Sequence, residues 1–116
     1  MGAWGYAPDE NDNVREWIED IKSGRKAVVG KFLRLTHKQK PTSDDAFIIG
    51  GVVYGLVKDG FDLPSKMKAQ GISRLKMILQ DFDFVSGWGE PDKFIKETKK
   101  AIQFLKKGSP KQRMFY

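Results

Sequence analysis

Three sets of residues in this chain have the types that chemistry needs. The first is acidic: Asp9, Glu10 and Asp12. Clustered carboxylates can ligate a divalent cation, but a calcium loop needs an Asp-x-Asp-x-Asp-Gly run and a bidentate glutamate at its twelfth position. Neither is present, so capping and a favourable charge near a helix start account for the cluster. No metal site is expected. The second set is basic: Arg25, Lys26, Lys31, Arg34 and Lys38, followed by Lys40, beside the single histidine, His37. Guanidinium and ammonium groups at this density, together with the last helix, can hold phosphates, so this set is the candidate binding surface. His37 reads as an exposed partner for a helix C-terminus. The third set is aromatic: Trp4, Tyr6, Trp17 and Trp88. Such rings can cage a cationic ligand; core packing is the simpler role.

Covalent and phosphate chemistry find no foothold. With no cysteine and one histidine, thiolate nucleophiles, disulfides and multi-histidine metal sites are excluded. There is no Gly-x-Ser-x-Gly elbow. Gly50-Gly51 is not followed by the Gly-Lys-Ser of a phosphate loop. No catalytic residue and no cofactor are expected, and the chain reads as a non-enzyme.

The elements that would position these residues read as helices. The chain has 116 residues, 40% of them hydrophobic and 12% aromatic, which suits one domain with a real core. Asn11 or Asp12 caps a first helix, in which Val14, Trp17, Ile18 and Ile21 share one face; Ser23-Gly24 ends it. A second helix runs from about Arg25 to His37. Thr42 or Ser43 caps a third, apolar nearly all round from Ala46 to Val57, which is therefore the central buried helix. Within it Gly51 and Gly55, four apart, admit a close neighbour. Pro64 opens a fourth helix that is broken or kinked at Gly71, with Phe82 and Phe84 as core residues at its end. Residues 85–89 read as a loop. Pro91 opens a fifth helix, with Phe94, Ile95, Ala101, Ile102 and Leu105 buried and Gly108 as its stop. The expected fold is an all-α compact bundle of about five helices, a single helical domain over 1–108 with a C-terminal tail at 109–116.

Trp4-Gly5 and Trp88-Gly89 precede the first and last helices, so these helices are expected to pack near each other with both indoles wedged into one end of the bundle. Trp4, Gly5, Asn11, Asp12, Trp17 and Trp88 are the expected structural anchors. The formal net charge is +6, unevenly spread. Acidic residues dominate the first twenty positions and lysines dominate from Lys93 onward, so the two ends are expected to face each other.

No apolar run approaches the roughly 20 residues of a membrane span, and the start lacks a signal-peptide pattern. Met1-Gly2 is followed by Tyr6 where a myristoylation signal has Ser or Thr. A cytoplasmic protein with no membrane partner is expected.

Met1-Gly2-Ala3-Trp4-Gly5, the acidic-amide stretch ending in Asn11-Asp12 and the helix carrying Trp17 resemble the opening of the bacterial and phage family DUF4259, a domain of unknown function. The likeness extends to the small-residue apolar helix Asp45 to Leu56, the Leu63-Pro64 that follows, and Ser86-Gly87-Trp88 ahead of a terminal helix. Here Asp9-Glu10-Asn11-Asp12 stands where that family has Phe-x-Asn-Asp. The resemblance implies a compact helical domain and supplies no activity. Composition and motifs together favour a small helical module that binds another protein, by analogy an immunity protein or an inhibitor in a phage–host conflict. The alternative is a nucleic-acid-binding protein using the basic faces of the second and last helices.

Overall fold

The computed structural model describes residues 6–107. They form a 3-10 turn at Pro8–Glu10 and six α-helices: α1 (Asp12–Lys22), α2 (Lys26–Thr36), α3 (Ser43–Lys58), α4 (Ser65–Leu79), α5 (Phe82–Ser86) and α6 (Pro91–Lys107). Among the described residues there is no strand, and the architecture is all-α. Trp4, Gly5, Gly108 and the expected tail at 109–116 lie outside the described residues.

The local signals act where the sequence places them. The Asn11 side chain accepts from the backbone N–H of Asn13 at 2.9 Å and of Val14 at 3.3 Å, so it is the cap of α1. Thr42 and Asp45 form the reciprocal box at the head of α3, each side chain accepting from the other's backbone N–H at 3.1 Å. Gly24 and Gly60 follow α1 and α3 with φ of 77° and 99°, a left-handed conformation that suits a residue without a Cβ.

α3 is the axis of the bundle. Ala46, Ile49, Val52 and Val53 are fully buried along it. Its glycines set the distances to its neighbours. A Cβ at Gly51 would lie 2.8 Å from the Pro8 carbonyl oxygen and 2.9 Å from a Val14 methyl, and a Cβ at Gly55 would meet Ile18. On the other side Gly50 receives Leu75 of α4, and Gly71 of α4 receives Val53. The 3-10 turn and α1 therefore close on one flank of α3 and α4 closes on another, with α6 against α4.

Four expectations are corrected. α4 runs unbroken through Gly71, because that glycine is filled from outside by the Val53 methyls and serves close packing. Residues 82–86 are a sixth helix, started by Asp81, whose side chain accepts from the Phe84 N–H at 3.2 Å. Phe82 is no core residue: it is 80% exposed. The first and last helices are not principal neighbours, since α1 packs on α3 and α2 while α6 packs on α4, α3 and α5. What does reach the last helix is the start of the chain, through Tyr6 against Trp88 at 6.0 Å and Lys93 over the Tyr6 ring at 5.8 Å.

One buried group invites a simple test. Thr98 of α6 is fully buried and its Oγ1 has no hydrogen-bond partner. Valine keeps the shape and removes the desolvated hydroxyl. Thr98→Val is expected to raise the unfolding free energy by about 1 kcal/mol. A denaturant titration showing a loss instead would mean that the hydroxyl is bonded in solution.

Candidate binding surface

The candidate surface is built on α2, a helix with few buried residues. In α2 only Phe32 and Thr36 are buried, and Phe32 meets Trp17 of α1 at 6.0 Å. Gln70 of α4 donates to the Thr36 carbonyl, which pins the helix C-terminus. His37 follows as the C-cap; its Nδ1 lies 2.8 Å from the Leu33 carbonyl oxygen, so that nitrogen carries the proton. With the inner face fixed by Phe32 and Thr36, the helical period sends Lys26, Gly30 and Arg34 outward in one row and Ala27 and Lys31 in the next. Lys38 continues this side just past the helix. All five predicted residues, Arg25, Lys26, Lys31, Arg34 and Lys38, are exposed.

Three of the five have partners inside the chain. Arg25 Nε is 3.7 Å from Asp20, and Lys31 Nζ lies over the Trp17 ring at 5.8 Å. Lys38 donates to Asp45 at 2.8 Å and holds that carboxyl below the usual carboxylate range. Lys26 and Arg34 make no ion pair among the described residues. The chain holds no Asp or Glu between Asp20 and Asp44, so carboxylates border the face and do not interrupt it. Beside Lys31 the groove between α1 and α2 is lined by Asn13, Glu16, Trp17, Asp20 and Val28. Leu33, 41% exposed, adds apolar area at the edge.

The other sets resolve into structure. The Trp88 ring stacks on Phe94 at 4.3 Å and meets the edge of Phe47 at 5.6 Å. Trp17 sits apart with Phe32, so among the described residues Tyr6, Trp17 and Trp88 do not converge into a cage, and Lys93 already occupies the face of Tyr6. Asp9 is buried by the 3-10 turn, with one oxygen 3.5 Å from Lys58 Nζ. Burial alone would lower the Lys58 pKa; the combined pull of Asp9, Tyr54 and Glu10, with Asp9 foremost, raises it above the ordinary lysine value. Burial raises the neighbouring Tyr54 hydroxyl. Glu10 accepts from the Ala7 N–H at 3.2 Å, and Asp12 is the first residue of α1. Among the described residues no cluster of three or more His, Cys, Asp or Glu side chains is placed to hold a metal ion.

In the acidic start Asp9 pairs with Lys58, Glu19 with Arg15 and Asp20 with Arg25; in and just before α6, Lys93 pairs with Glu90 and Lys100 with Glu97. The basic faces of α2 and α6 belong to helices that share α3 as a neighbour, α2 packing also on α1 and α6 mainly on α4. One exposed feature has no counterpart in the sequence reading: Phe82, beside Met77 and between Asp81 and Asp83. Its signal was the helix cap at Asp81, which starts α5 and turns Phe82 away from Phe84.

Comparison with protein-family models, curated proteins and solved structures found no match. Among the described residues, no helix is long and apolar enough to cross a membrane.

Proposed function

We propose that this chain is a small non-enzymatic helical module that works by binding another protein through the outer face of α2. An immunity protein or an inhibitor in a bacterial or phage conflict is the setting this reading favours, by analogy alone. The observation that carries it is that face: cations with no acid among them, Lys26 and Arg34 without an ion pair, and an exposed leucine at the edge. Charged faces of this kind steer and orient partners. The nucleic-acid alternative draws on α2 and α6 together, and these helices do not pack side by side.

A photo-crosslinking side chain placed at Lys26 in native cells is expected to yield a discrete protein adduct. The double charge reversal Lys31→Glu/Arg34→Glu is expected to cut that adduct at least tenfold while leaving the circular dichroism spectrum and melting temperature nearly unchanged, because both side chains are exposed. Crosslinks mainly to nucleic acid, or an adduct indifferent to the reversal, would refute the reading.

A further inference from the structure

We infer that the partner meets this face with an acidic α-helix that crosses α2 at Gly30. The inference rests on the reading of α2 as the partner-binding face and adds the partner's chemistry and the point of contact.

The first argument is the glycine. Glycine in a helix interior is unfavourable relative to alanine, and this fold otherwise places glycines inside helices where a neighbour needs the room. Gly50, Gly51, Gly55 and Gly71 each have a side chain or backbone atom of another element where a Cβ would stand. At Gly30 a Cβ would meet only Arg34 Nη1, the tip of a flexible side chain of the same helix, at 3.7 Å. The fold does not use this glycine. In the fold's own pattern, Gly50 against Gly71 above all, a glycine of this kind marks where helices cross at short range.

The second argument is charge. Lys26, Lys31 and Arg34 surround Gly30 on the helix surface, so the helix that crosses there must be acidic. Lys26 to Arg34 spans about 12 Å along the axis, close to the 10–12 Å diameter of one crossing helix. A nucleic acid backbone running along α2 would leave this stretch at both ends into carboxylates: Asp20 beside Arg25 and Asp45 beside Lys38. Glu16 and Asp20 line the groove on the α1 side as well. The dimensions and the acidic border therefore favour a crossing helix over a phosphate chain, and Leu33 offers it an apolar contact.

The test uses the whole chain, labelled with nitrogen-15, and a helical peptide built from repeating Glu-Ala-Ala-Ala as the probe. The peptide is expected to shift amide signals of residues 26–38, with an affinity that falls as salt is added. Gly30→Leu is expected to weaken binding at least tenfold, whereas Gly30→Ala raises the melting temperature by about 3–6 °C because the fold leaves that space open. The alanine variant shows that this position tolerates a side chain in the free protein, so a loss with leucine reads as lost approach. No shifts on α2, equal affinity for Gly30→Leu, or tighter binding of a DNA duplex at the same ionic strength would overturn the inference. A protein adduct through Lys26 combined with no binding of the acidic helix would sink this inference and leave the protein-binding reading in place.

Discussion

Phe94→Ala is expected to cost about 3–5 kcal/mol of unfolding free energy, a large part of the 5–15 kcal/mol that holds a typical domain folded. The ring has no exposed surface. It lies nearly parallel to Trp88 at 4.3 Å and meets Phe47 at 6.1 Å and Phe84 at 6.0 Å in tilted contacts. Those partners come from α3, from α5 and from the segment after α5, so one ring joins three regions to α6. Tyr6 attaches the start of the chain to the same cluster through Trp88. Removing the ring leaves a cavity that its three aromatic neighbours are too rigid to close, and the lost ring contacts add to the lost burial. The measurement is a urea titration followed by circular dichroism. Phe82→Ala is the internal comparison: at 80% exposure that ring contributes little, and a change within about 0.5 kcal/mol is expected. A loss below 1 kcal/mol for Phe94→Ala would mean that the aromatic cluster is not the joint between α6 and the rest.

The contrast between these two phenylalanines shows where sequence patterns stop informing. Phe82 and Phe84 both read as core, yet residues two apart on a helix point about 200° from each other. Only one can face inward once Asp81 starts a helix, and a five-residue segment is too short to show the period. α3 was legible because sixteen residues with a capping box and an apolar run leave one reading. The cap at Asn11 and the exposure of the basic residues on α2 were legible for the same local reason. The pairing of helices was not, because it depends on residues far apart in the chain. Gly71 carries the propensity signal of a helix break, and only the Val53 methyls against it show that it is a packing site. The repeated Trp-Gly pairs suggested adjacent first and last helices; the contact that exists runs through Tyr6, whose partner no local pattern identifies. For the candidate site, residue types and exposure were visible in the sequence. That Lys26, Lys31 and Arg34 enclose an unfilled glycine required the inner face of α2 to be fixed by Phe32 and Thr36.

The same distinction gives the second large effect, at Gly51. Alanine there gains up to about 1 kcal/mol of helix propensity, and at an open position this gain would stand. At Gly51 the new methyl would sit 2.8 Å from the Pro8 carbonyl oxygen and 2.9 Å from a Val14 methyl. Val14 can shift only by moving α1, since it is fully buried on that helix. Pro8 belongs to the 3-10 turn that also buries Asp9 beside Lys58, so displacing the turn disturbs that pair. Overpacking against backbone costs about 1–3 kcal/mol, and the expected net result for Gly51→Ala is destabilisation despite the better helix former. Gly51→Leu enlarges the clash and is expected to lower the melting temperature further. Hydrogen exchange should locate the damage: with the turn pushed off α3, amides of α1 lose protection first and those of α4 last, because α4 packs on α3 through Gly50 and Gly71. A Gly51→Ala protein as stable as the parent would show that α1 and the turn lie farther from α3 than the glycine geometry requires.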